Sequence, residues 1–347
     1  MKAEALVAAA CGTRFTAAVL RVERGGRPLL ERAFGAVDDG ALAQPVSVTT
    51  RFDVASLTKP FVAAAALFAL ETGGLGLDAP LESFVPEWRD DARAAITLRM
   101  LLAHTSGMDS GADYRTLFAR NVEQFALTRQ LIAAPGERVI YSDLGFIALG
   151  VVLARALGRG LPAIVAAACA RLGATQTAYR PSERERGEVP ATEFDAWRGR
   201  VRGTVHDEKA HLMDGVAGHA GLFGSAYDVA RLAEAFLAPA SGRGAGALEA
   251  ARAREAVSEW GADDVLRRGL GWALKTSDAN SCGAAMSRDT FGHTGFTGTC
   301  VWADPQRDLS VVLLTNAVYF GRNDLREVRA AVCDAVVEEV CACAPSA

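Results

Sequence analysis

Ser56-Leu57-Thr58-Lys59 sets a hydroxyl and an amine three positions apart, at the start of an apolar, alanine-rich run. Residues at that spacing share a helix face, so a helix starting here brings the Lys59 ammonium beside the Ser56 hydroxyl. A serine hydroxyl is a poor nucleophile until a neighbour takes its proton. Lysine can do so where burial or nearby positive charge lowers its pKa, whereas arginine keeps its proton in proteins. The residue type is informative, because only four of the 37 basic residues are lysines (Lys2, Lys59, Lys209, Lys275) and 33 are arginines. A helix start also offers backbone N–H groups and a positive dipole end to a developing oxyanion. Taken by itself the tetrapeptide has a plainer reading, with Ser56 as a helix cap and Lys59 as a solvated first-turn residue.

Two further stretches carry reactive atoms. Residues 135–145 (PGERVIYSDLG) run from a Pro-Gly turn through a short extended piece into a helix start. Tyr141 then sits on a loop at a helix N-terminus, where a nearby cation helps a phenol lose its proton. Asp143 could accept from Lys59 or receive a substrate amide. The plainer alternative is that Ser142 or Asp143 caps the helix and Tyr141 is a staple. Gly292-His293-Thr294-Gly295-Phe296-Thr297-Gly298 stands just before a strand. Its glycines allow close backbone approach, and His293 and Thr294 offer donors at a sheet edge. Alone it reads as a glycine-rich turn with a surface histidine.

The elements that must position these groups follow from patterning. Residues 15–22 and 28–34 are strand-like, with Gly25-Gly26 as a hairpin turn between them. A short β-prone piece at 51–54 precedes a buried helix that starts at Ser56 and is ended by Gly73-Gly74. Helical apolar spacing recurs at 96–103, 121–134, 142–157, 161–172, 226–237 and 248–260. Residues 181–214 are polar and read as a long excursion or loop. Strand signals return at 269–274, 298–303 and 309–315, and 325–340 closes the chain as an amphipathic helix. The expected class is α+β. Residues 1–55 and 265–347 would build one antiparallel sheet lobe from both termini, flanked by helices. Residues 56–264 would form an inserted, mainly helical lobe, with the active site between the two.

Bulk properties narrow the function. At 347 residues the chain is long enough for two lobes. Half its residues are hydrophobic, 22% are charged and the net charge is −4, which argues against a nucleic-acid partner. Seven scattered cysteines without a CxxC pair suggest reduced thiols rather than a disulfide framework or zinc knuckle. The run Leu6 to Cys11 is at the lower length limit of a signal core and carries Glu4 at its edge, so an amphipathic first helix is expected. No apolar stretch reaches the roughly 20 residues that span a bilayer. A cytoplasmic location is expected, with the periplasm left open.

Together the three stretches, in this order and context, resemble the superfamily of serine β-lactamases (class C among them), DD-peptidases and family VIII esterases. Residues 101–108 (LLAHTSGM) are similar to its LLxHTSGL segment, and 141–150 (YSDLGFIALG) to its YSNxGYxLLG. Residues 218–223 (GHAGLF) and 226–231 (AYDVAR) resemble its AGGLxST-xxDLAR stretch. WRGR at 197–200 and VHDE at 205–208 are similar to one bacterial branch known only as serine hydrolases. The resemblance covers about residues 3 to 340. It implies a β-lactamase/transpeptidase-like fold, no cofactor and no metal, and a small ester, amide or short peptide as substrate. Ser56 would be acylated, and Lys59 and Tyr141 would share the general-base and general-acid work. The N–H groups of Ser56 and Phe296 would form the oxyanion hole. His293 and Thr294, ahead of Gly295, would steady a substrate carboxylate or the Tyr141 oxygen, and water would release the acyl group. Two positions depart from the pattern. Asp143 stands where Asn is usual, and its charge would keep Lys59 protonated and favour Tyr141 as base. His293 stands where many β-lactamases have Lys, and a neutral imidazole holds a carboxylate less strongly.

Other residues are given plainer roles. His206, His211 and His219 lack metal-ligand spacing. Lys275 lacks the glycine of a KTG motif and is expected at the surface. His104 is expected to brace a turn, His219 to line the pocket, and Cys341 and Cys343 to lie in an inert tail. The competing functional reading is a catalytically idle relative that binds a peptide or small ligand.

Overall fold

The structure, a computed structural model, describes residues 1–342 except 41, 42, 72, 90, 245 and 263–266. Cys343 and the expected boundary at 264–265 therefore lie outside the described residues.

Ala17–Arg24 and Arg27–Gly35 form a hairpin across Gly25 and Gly26, at φ +60° and +72°. A tight turn of that hand needs positive φ at both central positions, which glycine supplies without strain. Ala17–Arg24 also pairs antiparallel with Leu309–Thr315, from Ala18 opposite Thr315 to Arg24 opposite Leu309. The sheet continues outward through Cys300–Asp304, Phe291–Thr294, Ala273–Leu274, Arg267–Arg268 and Gly261–Ala262. Among the described residues eight strands, two from the start of the chain and six from its end, thus make one antiparallel sheet.

The sheet is covered on both faces, and the two-residue period of its strands shows it. Ala18, Leu20, Val22, Leu309, Val311 and Leu313 pack with the terminal helices Lys2–Ala10 and Arg326–Ala342. Ala17, Val19, Val312 and Leu314 point the other way, into the core of the helical body. There Ala226–Ala240 lies against the central strands. Thr58–Leu70 is buried on all sides between Asp143–Leu157, Leu161–Leu172 and Ala226–Ala240, as its sequence, apolar after Thr58 and Lys59, requires.

Several patterns resolve differently from their sequence signals. The helix expected over 121–134 is Val122–Thr128, because the chain turns extended at Arg129 and the Ile132 N–H donates to Gly107 O at 2.9 Å. Of the expected strand 269–274 only Ala273–Leu274 is strand, because 269–272 turn the chain back so that Ala273–Leu274 pairs antiparallel with Arg267–Arg268. Gly271 in that turn holds φ +80°, and a Cβ there would stand 2.3 Å from Ala63 Cβ on the buried helix. The polar segment 181–214 is packed rather than loose. Val189, Ala191, Val201 and Val205 are buried, Phe194–Asp195 pairs with Gly199–Arg200, and the Ala191 N–H donates to Val37 O at 2.8 Å. No single helix among the described residues is long and apolar enough to cross a membrane.

Candidate active site

Ser56 sits in a 3-10 turn, Ala55–Leu57, that leads into the Thr58–Leu70 helix. Ala55 holds φ +48°, a left-handed conformation that an alanine adopts only when its surroundings impose it. Here the restraint is buried Asp53, which accepts the Ala55 N–H at 2.9 Å and the His206 N–H at 2.6 Å. Burial pushes the Asp53 carboxyl above its usual range despite these donors. The end of the Phe291–Thr294 strand is fastened to the same segment. Thr297 Oγ1 donates to Asp53 O at 2.8 Å, and Thr299 Oγ1 donates to Val54 O at 3.1 Å. Gly295 leaves no room for a side chain, since a Cβ would lie 2.1 Å from Thr299 Oγ1 and 2.6 Å from Val54 O. Two adjacent segments are so locked together that the backbone N–H groups of Ser56 and Phe296, neither with a hydrogen-bond partner among the described residues, remain for a ligand.

Lys59 is 0% exposed. Its Nζ donates to Ser56 Oγ at 3.2 Å, Asp143 Oδ1 at 2.9 Å and His219 O at 3.2 Å, using all three ammonium donors. The Tyr141 ring centroid is 4.8 Å from the same nitrogen. Burial alone would lower the Lys59 pKa, but Asp143 and Tyr141 outweigh it and the ammonium is held above its ordinary range. Burial opposes the Asp143 charge in the same way. Lys59, His219 and Lys209 overcome it and bring the carboxyl down to about 2.

Tyr141 ends an extended stretch before the Asp143–Leu157 helix, whose cap is Ser142 Oγ accepting the Gly145 N–H at 2.8 Å. His104 packs against the Tyr141 ring at 4.7 Å between centroids, and its Nδ1 accepts the Ser142 N–H at 3.1 Å. Burial, then Arg268, Lys59 and His293, keep the His104 imidazole well below its usual pKa. His104 thus braces the turn that carries Tyr141. On the opposite strand the His293 ring lies 6.1 Å from the Tyr141 ring, and Nδ1 donates to Thr294 O at 2.8 Å. Burial, then Lys59 and Arg268, lower the His293 pKa to about 3, so the ring is neutral. Its buried Nε2 has no partner among the described residues. Arg268 lies over the Tyr141 ring at 5.2 Å, adding a second cation beside the phenol.

Ser56, Tyr141, His293, Thr294, Gly295 and Phe296 line one cavity of about 750 Å³. Lys59 and Asp143 lie beneath its floor, joined to it through Ser56 and Tyr141. The Phe296 side chain is 56% exposed and stacks on His206 at 5.5 Å. Arg268, Arg322, Arg326 and Arg329 also border the cavity and give it a cationic wall. His219, expected in the pocket lining, instead lies behind it: its carbonyl accepts from Lys59, and Nε2 meets Asp207 Oδ1 at 2.8 Å. Lys275, expected at the surface, is 5% exposed. Its ammonium is taken inward by the carbonyls of Ala284 (2.8 Å) and Met286 (2.6 Å). Cys341 is exposed on the last turn of the C-terminal helix. Asp53, Lys209, Arg268 and Arg329 were not found from sequence. Asp143, Asp207 and His219 bring potential ligand atoms within 4.8 Å of one another. Both Asp143 oxygens are already engaged by ammonium groups, Lys59 on one and Lys209 on the other, so the trio reads as an ion-pair network.

The chain is similar to several known proteins over most of its length. Esterase EstB of Burkholderia gladioli is 32% identical, with 89% of this chain and 88% of that protein aligned. The N-acetylmuramyl-L-alanine amidase of Bacillus subtilis is 30% identical over 87% of this chain and 77% of its own length. Among solved structures, EstCE1, a hydrolase with promiscuous acyltransferase activity, superposes with a TM-score of 0.76 at 25% identity, covering 96% of this chain and 97% of its own. The match to the family itself runs over residues 3–334, and the protein belongs to the beta-lactamase family, whose relatives here are serine-type hydrolases.

Proposed function

We propose that the protein is a serine hydrolase that works through an acyl-enzyme on Ser56, with a small ester or amide as substrate. The observation that carries this reading is the buried Lys59 ammonium, 3.2 Å from Ser56 Oγ and 4.8 Å from the Tyr141 ring. Because Asp143 holds Lys59 charged, Tyr141 is the better base. The Lys59 ammonium and the Arg268 guanidinium both stand over its ring. Ser56 Oγ gives its proton to Tyr141 and attacks the substrate carbonyl. The oxyanion rests on the N–H groups of Ser56 and Phe296. Tyr141 then returns the proton to the leaving alcohol or amine as the C–O or C–N bond breaks. In the second half Tyr141 takes a proton from water, the hydroxide attacks the ester on Ser56, and the proton goes back to Ser56 Oγ. His293 Nε2, a neutral acceptor without a partner among the described residues, is available to a substrate N–H. The esterase and amidase among the relatives fit this chemistry.

The test is p-nitrophenyl acetate and butyrate hydrolysis, with intact-protein mass read during turnover. A D-Ala-D-Ala peptide and a fluorescent penicillin run alongside separate the substrate classes. An acyl adduct localised to Ser56, absent in Ser56→Ala together with turnover, is expected. Turnover that survives in Ser56→Ala overturns the proposal in favour of another nucleophile, and no adduct with no hydrolysis of any of the four substrates overturns it in favour of a ligand-binding relative.

A further inference from the structure

Asp143 serves two lysines. Its Oδ1 accepts from Lys59 at 2.9 Å, and its Oδ2 faces Lys209 Nζ at 3.1 Å. The Lys209 side chain is 15% exposed, so the pair is poorly screened by solvent. Lys209 stands in the first turn of Glu208–Leu212, a helix capped by Asp207, whose Oδ1 accepts the Ala210 N–H at 2.8 Å. Each neighbouring element adds a charged or titratable group. The buried helix brings Lys59, the turn before the Asp143–Leu157 helix brings Tyr141, and the 205–212 segment brings Asp207. The 218–223 segment brings His219 onto Asp207, and the opposite strand brings His293, with Arg268 and His104 beyond it. Imidazoles aside, two ammonium groups face two carboxylates at the centre of this cluster.

That balance answers a difficulty in the sequence. Asp143 occupies a position where a neutral amide is the common residue of the resembled family. A carboxylate there, unshared, would bind the Lys59 ammonium as a tight pair and place an uncompensated negative charge beside Tyr141. Both effects raise the proton affinity of any base at Ser56, whether amine or phenol.

We propose that Lys209 is a positioning residue of this site: by taking one oxygen of Asp143 it cancels the charge that Asp143 introduces and keeps the base beside Ser56 able to work near neutral pH. The inference rests on the acyl-enzyme reading. It predicts an electrostatic partnership between two residues far apart in sequence, neither of which touches substrate.

The experiment follows the rate of Ser56 labelling by a fluorophosphonate probe against pH, in the full-length protein. Lys209→Met is expected to move the acid-limb midpoint up by about one pH unit, the size of a lost charge interaction at this range. Lys209→Arg keeps the charge and should leave the midpoint close to wild type. Asp143→Asn should move it down, and Asp143→Asn/Lys209→Met should return it toward wild type. A labelling rate that falls in Lys209→Met with no change of midpoint makes Lys209 merely structural and overturns the inference. If Lys209→Met does not fold, the Asp143→Asn background decides: removing Lys209 there must raise the midpoint, and an unchanged midpoint overturns the inference. A wild-type protein that is never labelled on Ser56 defeats the acyl-enzyme reading instead, and the mass spectrum distinguishes that outcome from the others.

Discussion

Arg329 donates from Nη2 to the carbonyl oxygen of Gly295 at 2.9 Å, and Gly295 C=O belongs to the same peptide unit as the Phe296 N–H. A second, longer bond runs from Nε to Gly298 O at 3.4 Å. The guanidinium is buried, and burial pulls its pKa below the usual arginine value. Holding a cation there is unfavourable unless it is well hydrogen-bonded, and the two carbonyls supply those bonds. A cation on the oxygen of a peptide fixes the plane of that peptide and polarises its N–H. The Phe296 N–H, the donor proposed for the oxyanion, is therefore held from behind.

Arg329→Met should lower kcat with little change in KM. Removing an oxyanion donor outright costs roughly 10²–10³ in kcat, and loosening one should cost about tenfold. Steady-state kinetics on a p-nitrophenyl ester gives the split. A rise in KM with kcat intact would mean instead that Arg329 binds an anionic part of the substrate across the cavity.

The neutral histidines make the fold acid-sensitive. In the folded protein the His293 pKa is lowered to about 3 by burial and then by Lys59 and Arg268, while the unfolded chain protonates at the ordinary 6.5. Between these values the unfolded chain binds the extra proton, so stability rises with pH across that window. The contribution is complete above pH 6.5 and is lost as pH falls toward 3. His104 acts in the same direction. Urea unfolding at pH 7 and pH 5 should show His293→Asn losing less stability than wild type, by about 1.5 kcal/mol. Parallel losses in the two proteins would mean that His293 already binds a proton in the folded state.

Residue types and spacing single out the three stretches, the family resemblance joins them into one site, and what both leave out has physical causes. Ser56, Lys59 and Tyr141 each lie in a short segment whose local pattern fixes its element, a helix start or a capped turn, whereas His293, which alone reads as a surface residue of a glycine-rich turn, is buried in the strand Phe291–Thr294. Asp53 and Arg329 act on backbone atoms far away in sequence, and no local spacing records such a contact. Lys209 is an intermediate case. The scarcity of lysine that singled out Lys59 applies equally to Lys209, but its partner lies 66 positions away and only the fold joins them. The same scarcity applies to Lys275, where it led nowhere, because carbonyl groups rather than a reactive group consume that ammonium. The packed state of 181–214 was hidden for a different reason. Its buried residues are few and spaced irregularly among charges, so they carry no helix or strand period.

Asn316 ties that excursion to the central sheet. Its Oδ1 accepts the N–H groups of Thr16 (3.1 Å) and Ala17 (3.0 Å). Its Nδ2 donates to Thr16 Oγ1 (2.8 Å) and to Ala191 O (2.7 Å). The side chain is buried at the end of Leu309–Thr315, so every one of these bonds is made away from solvent. Alanine at this position strands two backbone N–H groups and a carbonyl. Leaving buried donors and acceptors unpaired costs about 1–3 kcal/mol each, and partial access of water should bring the total for Asn316→Ala to about 3 kcal/mol. Urea denaturation measures the loss. Amide exchange locates it, with the Thr16 and Ala17 hydrogens expected to exchange faster than those of Val19 and Leu20 further along the strand. A loss below about 0.5 kcal/mol, the scale of an ordinary surface substitution, would show that Asn316 is not what holds 181–214 to the sheet.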